Sequence, residues 1–385
     1  MKIKKIGIDI RAIGKQRTGD EYYTLNLVRN LLKIDKKNQY FLLTNTAETQ
    51  EIKNKVLKGL ENKNVEIISI LPSFKLIWTF FLLPKIAKKL DLDVLHVQYI
   101  TPLWLSNKIE LITTIHDVSF KAFPEFIKKA DLFFLNIFIP LSLKKADKII
   151  AISEFTKKEI IKYYQIKKEK ISVIYNGGTS DFFNEKNKNS SKILNKIGIE
   201  KPYLFYVGTH QPRKNISTLM KVFLNLKASN KKFKDHSLVL GGKLKAYNYD
   251  PEIDEILEKT KKDPNKKKFL KDLIFTGYIE NEDLVGLYEE ADIFIFPSLY
   301  EGFGLPLIEA MVSETPVICS DIDCFKEVGA GAARYFKAGD WRDLQKNIIE
   351  VIIDKKIREE LIKKGEERAK FFSWDKTVKE FLKIL

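Results

Sequence analysis

A chain of 385 residues is longer than one hydrophobic core usually covers, so two domains are expected. Hydrophobic residues make up 44% and charged residues 31%, with 18 Gly and 12 Pro, a balance that excludes disordered, collagen-like and low-complexity chains. The formal charge of +16 is unevenly spread: residues 1–180 carry 31 Lys and Arg against 18 Asp and Glu, residues 181–385 carry 36 against 33. Such asymmetry points to an acidic partner surface, anionic lipid or nucleic acid. Cys319 and Cys324 are too few for a disulfide framework or a four-ligand zinc site. The opening MKIKKIGIDI has no signal-peptide pattern, so a reducing cytoplasm is the expected location. The longest apolar runs, 76–84 and 132–143, are short of the ~20 residues a spanning helix needs.

In chain order, apolar runs rich in Ile and Val at 3–10, 40–44, 65–70, 94–98, 111–115, 148–152 and 171–175 read as buried strands. Amphipathic stretches such as 22–34 and 154–164 lie between them. Strands that are apolar throughout and separated by helices imply a parallel sheet covered on both faces. The stretch 177–201, with its polar run NEKNKNSSK, reads as a linker. The pattern then restarts with strands at 203–207, 238–240, 273–276, 293–296 and 316–320, and helices at 216–227, 283–290 and 307–312. The division is 1–180, 181–370 and a tail, 371–385, whose segment WDKTVKEFLKIL is an apolar-periodic helix expected to return to the N-terminal domain. Ligands of doubly wound sheets bind beyond the carboxyl ends of the strands, so a cleft between the domains is the expected site.

Two segments carry the chemistry. PSLYEGFGLPLIEA (297–310) follows a strand and opens a helix. Gly302 and Gly304 flank Phe303 and allow backbone N–H groups to approach a ligand closely. Glu301 and Glu309 supply carboxylates that accept hydrogen bonds from the hydroxyls of a sugar or ribose, although an ordinary turn with a glutamate near a helix start has the same spelling. YLFYVGTHQPRKNI (203–216) places Gly208, then Arg213 and Lys214, before a helix start, an arrangement suited to a diphosphate. A solvated basic turn is the plain alternative in so lysine-rich a chain.

With these segments the chain resembles the retaining glycosyltransferases of family 4, also called group 1. Glu301 and Glu309 match the family's E-x7-E signature, and Gly208 with Arg213, Lys214 and Asn215 is similar to its G-x4-RKN phosphate site. The segments IGIDIRAIG, IHDVSF, SEFTKKEI, VIYNGG and FSWDKTV extend the match over nearly the whole chain. The resemblance implies an α/β chain of GT-B fold, with two Rossmann-like doubly wound parallel-sheet domains facing a central cleft. It also implies a nucleotide-sugar donor and no obligatory metal. Carried over by position, Glu309 holds the donor ribose and Glu301 a hydroxyl of the transferred sugar. Arg213 and Lys214 hold the diphosphate, and the backbone from Gly302 through Phe303 and Gly304 to Leu305 faces the sugar. His116 matches the family's cleft histidine. The loop after the first strand departs from the family: Gly19 is retained, but in Arg17-Thr18-Gly19-Asp20-Glu21-Tyr22 the residues Glu21 and Tyr22 replace a second Gly and an Arg. This loop is expected to border donor or acceptor. No P-loop motif occurs, and His96, His210 and His236 fall at no metal-ligand spacing.

The expected activity is transfer of a hexose, mannose among the candidates, from GDP-mannose or a UDP-hexose to a glycan or lipid-linked glycan in cell-surface polysaccharide assembly. No cofactor or metal is expected. A sugar phosphorylase or a nucleotide-sugar epimerase would use the same donor site. A nucleic-acid-binding module lacks the interleaved aromatic and basic motif such proteins carry. Two runs point to a membrane surface. In 74–90 (FKLIWTFFLLPKIAKKL) Trp78, Phe80, Phe81 and Leu82 lie beside Lys85, Lys88 and Lys89. In 126–148 the aromatic stretch LFFLNIF is bracketed by Lys128, Lys129, Lys144 and Lys145. These are the ingredients of interfacial helices and suggest a peripheral location on the inner face of the cell membrane; buried sheet-covering helices would read alike.

Overall fold

Short runs of Ile, Val, Leu and Phe pair into two wholly parallel sheets, the outcome expected of strands apolar on both faces. The computed structural model describes residues 2–14, 19–60, 64–71, 74–178, 190–245 and 247–385. The first sheet contains β1 (Lys5–Asp9), β2 (Gln39–Thr44), β3 (Val65–Ser69), β4 (Val94–Gln98), β5 (Glu110–Ile115), β6 (Lys148–Ala151) and β7 (Ile171–Val173), in the order β3-β2-β1-β4-β5-β6-β7. The second contains β8 (Tyr203–Val207), β9 (Ser237–Gly241), β10 (Leu273–Gly277), β11 (Ile293–Phe296), β12 (Val317–Ser320) and β13 (Arg334–Phe336), in the order β10-β9-β8-β11-β12-β13. Both are doubly wound. Strand order reverses between β1 and β4 in one sheet and between β8 and β11 in the other, and ligands of such sheets gather at the carboxyl ends beside that reversal.

The chain divides into two units. The first comprises Met1–Lys121, Lys129–Gly177 and Ser373–Leu385; the second comprises Ala122–Lys128 and Gly178–Phe372. The sequence division at 180 and 370 differs by a few residues, and the short segment Ala122–Lys128 groups with the second unit. The linker reading of 177–201 needs correction: Ser190–Ile197 is a helix of the second unit, while residues 179–189 lie outside the described residues. The three-residue β13 was too short and too polar at Arg334 to stand out in the sequence.

The tail helix Trp374–Ile384 is capped by Ser373, whose hydroxyl accepts from the Lys376 N–H. It closes the first unit. Trp374 lies against Tyr22 and Tyr23, at 6.1 and 6.2 Å between ring centres, and Thr377 Oγ1 donates to the Tyr175 carbonyl at 2.7 Å. Of the run 74–90, Trp78, Leu83, Ile86 and Ala87 are buried in a core with Leu43, Leu95, Val97 and Leu111, whereas Phe74, Leu76, Ile77 and Phe81 are exposed. Among the described residues no helix is long and apolar enough to cross a membrane.

Candidate functional site

In the second unit the site grows from the two strands flanking the reversal. β8 ends at Val207, and Gly208 follows; β11 ends at Phe296, and residues 297–304 lead into the helix Leu305–Val312. Gly208 touches the next loop directly. A Cβ on Gly242, whose φ is +126°, would stand 1.9 Å from the Gly208 carbonyl oxygen, so only glycine lets the ends of β8 and β9 meet. A 3-10 turn, Pro212–Lys214, then carries the cations to the left-handed Asn215 at the start of the helix Ile216–Ser229. This turn is tied to the β11 loop. Asn215 Nδ2 donates to the Pro297 carbonyl at 3.2 Å, and the Leu299 N–H donates to the Arg213 carbonyl at 2.8 Å.

The tie brings Arg213, Lys214 and Glu301 together. Lys214 Nζ donates to Glu301 Oε1, Arg213 Nη1 lies 3.3 Å from Glu301 Oε2, and Ser298 Oγ donates to Oε1 at 2.9 Å. Arg213 Nη1 also donates to the Tyr300 carbonyl at 3.0 Å. Glu301 and Lys214 are buried. Burial alone would raise the carboxyl pKa of Glu301, but the Lys214 and Arg213 charges and the hydrogen bonds from Lys214 and Ser298 outweigh it and hold it below the ordinary value. The carboxylate is therefore ionised at neutral pH. Two cations against one anion leave a net positive site with a fixed acceptor at its edge, the electrostatics suited to a diphosphate beside a hydroxyl-bearing group.

Glu309 does not join this cluster. It is on the second turn of the helix Leu305–Val312, buried, and accepts from the Tyr288 hydroxyl at 3.0 Å. Gly302, Phe303 and Gly304 are buried, and Leu305 begins the helix. Gly304, with φ +93° at the helix start, could not carry a side chain: a Cβ there would stand 2.8 Å from the Phe325 ring. Phe303 packs edge-on against Phe372, and its carbonyl accepts from Cys324 Sγ at 3.3 Å. Both cysteines are buried and neither is in a disulfide.

The first unit holds the other expected residues at the carboxyl ends of β4 and β5. His116 follows β5; its Nε2 bonds Gln98 Oε1 at 2.7 Å, and the ring packs against Tyr23 and Tyr99 at 4.7 and 5.5 Å. Burial lowers its pKa, opposed by Asp20 and Asp117, so the imidazole is neutral at neutral pH. Asp20 Oδ1 lies 3.9 Å from Nε2. The loop expected at 17–22 ends earlier than the sequence suggested. Arg17 and Thr18 lie outside the described residues, and Gly19 opens a helix, Gly19–Ile34. The departing residues are structural: Glu21 Oε1 accepts from the Gly14 N–H at 3.1 Å, and Tyr22 faces Trp374. Asp20 is the exposed member of this turn.

Residues 18–179 match the model of "Glycosyltransferase Family 4", and residues 188–368 match that of "Glycosyl transferases group 1". The chain belongs to this glycosyltransferase family. O-antigen chain mannosyltransferase B of Escherichia coli is 29% identical, over 71% of this chain and 69% of that protein. O-antigen chain mannosyltransferase RfbU of Salmonella typhimurium is 34% identical, over 61% of this chain and 60% of that protein, less than two thirds of its length. The crystal structure of Anabaena Alr3699/HepE in complex with UDP and glucose superposes with a TM-score of 0.73 at 15% identity, over 100% of this chain and 99% of that one. The glycosyltransferase thus has the GT-B fold.

Several residues of this glycosyltransferase's candidate site escaped the sequence reading. Ser298, three residues before Glu301, carries a signal only in retrospect, as the hydroxyl of PSLYE. Gln98 was findable from the rule that sites collect at strand ends beside the order reversal. Gly242 sits in a Gly-Gly pair, the spelling of a close backbone approach. Among the described residues no group of three or more His, Cys, Asp or Glu side chains is placed to hold a metal ion.

Proposed function

We propose that the protein is a retaining mannosyltransferase that moves mannose from GDP-mannose to a glycan acceptor in cell-surface polysaccharide assembly. The observation that carries the reading is the Arg213–Lys214–Glu301 cluster at the ends of β8 and β11. The mannosyl choice follows the two O-antigen mannosyltransferases that share 29% and 34% identity. Arg213 and Lys214 hold the diphosphate and offset the charge that develops as it leaves. Glu301 accepts from a hydroxyl of the transferred sugar, Glu309 from the ribose, and the backbone of residues 302–305 faces the sugar. The bond from the anomeric carbon to the phosphate oxygen breaks while the acceptor oxygen bonds to the same face, and the acceptor's proton passes to the departing phosphate. Glu301 is engaged by three donors, which argues against its use as a covalent nucleophile. The neutral His116, fixed by Gln98, is suited to hydrogen-bond a sugar hydroxyl rather than to supply charge.

In this reading no metal is needed, the acceptor is a lipid-linked glycan, and the protein works peripherally at the inner face of the cell membrane. The test is a panel of nucleotide sugars. GDP-mannose should raise the melting temperature above any UDP-hexose and support transfer to a mannosylated acceptor, with NMR showing an anomer of the same configuration as the donor. Turnover of the donor without acceptor, or release of a sugar phosphate, would replace the reading with an epimerase or a phosphorylase.

A further inference from the structure

We propose that three segments of the first unit form one lipid-docking surface, occupied by the headgroup–acyl boundary of an anionic bilayer. The segments are residues 74–82, Trp104, and the helix Lys129–Lys145. Phe74 is 78% exposed, Phe81 62%, Trp104 66% and Phe133 70%, with Leu76, Ile77, Ile137 and Leu141 also exposed. Singly exposed apolar side chains are ordinary on any protein, but here the three segments are joined beneath them by the buried Phe80 and the half-buried Phe134 and Phe138. Phe81 meets Trp104 at 5.8 Å, Trp104 meets Phe80 at 6.1 Å, Phe80 meets Phe138 at 5.1 Å, and Phe138 meets Phe134 at 4.5 Å. One aromatic ridge therefore crosses all three segments.

The helix Lys129–Lys145 shows why the ridge faces outward. Ile139 and Leu143 are buried, while Phe133, Ile137 and Leu141, four residues apart, form an exposed stripe along another face. Solvent-facing helix surfaces are ordinarily polar; here the outer face is apolar, and a joined apolar patch of this kind marks an interaction surface.

The charge fringe selects the occupant. Lys85, Lys88, Lys89, Lys108, Lys129 and Lys144, all within or a few residues from the three segments, are exposed. Residues 74–90 contain no acidic side chain, and Asp131 is the one carboxylate on the helix Lys129–Lys145. A second copy of the chain would bring this basic fringe against itself, whereas an acidic lipid surface complements it. An apolar ridge with a lysine border is the composition of interfacial anchors. The surface deepens the lipid-linked-acceptor reading and rests on it for the choice of lipid over another acidic surface. Binding is therefore measured without donor or acceptor, so that its failure and the failure of glycosyl transfer are separate results.

The experiment is co-sedimentation of the full chain with vesicles of phosphatidylcholine alone, or with about one third phosphatidylglycerol, at low salt and at about 0.5 M salt. Acidic vesicles should bind at least about tenfold more tightly at low salt than neutral ones, and raised salt should weaken that binding. Combining Phe81→Ser, Trp104→Ser and Phe133→Ser should lower the partition by about a hundredfold with an unchanged melting temperature, since all three side chains are exposed. Combining Lys85→Gln, Lys88→Gln and Lys89→Gln should remove roughly fivefold per lysine on acidic vesicles only. Acyl chains brominated at known depth should quench tryptophan emission in the wild type but not in Trp104→Phe; Trp78 and Trp374 are buried, and the exposed Trp341 belongs to the second unit, outside the proposed surface. Absence of binding to acidic vesicles at low salt, wild-type binding by the triple serine variant, or unchanged quenching in Trp104→Phe would each overturn the proposal. Dimers in sedimentation velocity that the serine substitutions dissolve, without vesicle binding, would assign the surface to a second copy instead.

Discussion

Lys214 and Glu301, 87 residues apart in the chain, share a buried ion pair, and Arg213 closes on the other carboxylate oxygen at 3.3 Å. The carboxylate that faces the sugar in the proposed reaction thus also tethers the cations that face the diphosphate. Replacing it separates the two roles. Glu301→Gln should leave the affinity for GDP equal or several-fold tighter, because two cations lose their internal counter-charge. Turnover should fall about ten- to a hundredfold through the lost charged hydrogen-bond acceptor. The free variant should also lose about 3 kcal/mol or more of stability, since its buried cations lack their partner. Calorimetric titration with GDP beside steady-state kinetics checks this; weaker GDP binding with unchanged turnover would remove the assignment.

Glu309 is separate from this cluster and bonded to Tyr288, so its substitution should act on donor binding rather than on turnover. Glu309→Ala should weaken GDP and GDP-mannose alike by about 1.5–3 kcal/mol, the worth of hydrogen bonds to a charged group. Tyr288→Phe, which removes the hydroxyl and keeps the ring, serves as the comparison. If Tyr288→Phe weakens the donor as much as Glu309→Ala, the glutamate acts through the local fold and not on the ribose.

In the proposed reaction Arg213 and Lys214 supply the positive charge that a divalent cation supplies in metal-assisted phosphate chemistry. Dialysis against EDTA should therefore leave the initial rate within about twofold, an effect too small to represent loss of a Lewis acid. Activity that vanishes on dialysis and returns with Mg²⁺ or Mn²⁺ would show that the two side chains are insufficient.

The strands other than β13 were legible as short runs rich in Ile, Val, Leu or Phe; β4, β8 and β11 begin and end at the residues their apolar runs suggested. The helix Ser190–Ile197 was hidden by lysines and serines that look like a linker until Ile193 and Leu194 are seen to be buried. Among the site residues, the adjacency of Arg213 and Lys214 was visible in the chain. Their pairing with Glu301 was not, because it depends on β8 and β11 lying side by side across the strand-order reversal. The loop after the first strand is shorter than expected for a local reason: Gly19 to Tyr22 already belong to a helix. Asp20 and Glu21 are acidic side chains, which are favourable in a helix's first turn.

Gly242→Ala tests the contact between the ends of β8 and β9. The added methyl would stand 1.9 Å from the Gly208 carbonyl oxygen, and the backbone there has φ +126°. Something must shift, and Gly208 opens the turn that carries Arg213. Strain of this kind costs on the order of 1–3 kcal/mol, so the urea midpoint should fall while the slope holds, and GDP affinity should fall with it. Gly59→Ala is the fitting comparison: it has φ +73° with no atom within 4 Å of the added methyl, so it should lose stability from strain alone and keep its nucleotide affinity.

His96 should give the fold an acid-sensitive limb well above the carboxylate range. It is buried in the first sheet, with Nε2 bonded to Thr114 Oγ1 at 2.8 Å and the ring edge-on to Phe381 of the tail helix at 5.1 Å. Burial, and to a lesser degree the nearby His116, lowers its pKa to about 3 from the 6.5 expected when unfolded. Between those values the unfolded chain binds a proton that the native chain refuses, so stability falls as pH falls from 6.5 towards 3, by up to about 1.4 kcal/mol per pH unit. His116, His210 and His236 are lowered as well, mainly by burial, and add to the same window. Carboxylates held below their ordinary values, among them Asp35, Asp93, Glu252 and Glu301, act only below about pH 4.5, where their unfolded forms begin to protonate. Between pH 6.5 and 5 the histidine effect is partly offset by Asp250, whose carboxyl burial holds above its ordinary value, so the comparison of the wild type with a variant at His96 isolates that residue. Urea melts across that interval should show a falling midpoint for the wild type and a shallower fall for His96→Gln, whose amide can still bond Thr114 but takes up no proton. An identical slope in the variant would mean that His96 is protonated in the native protein with no penalty, and that the sheet around it is open to water.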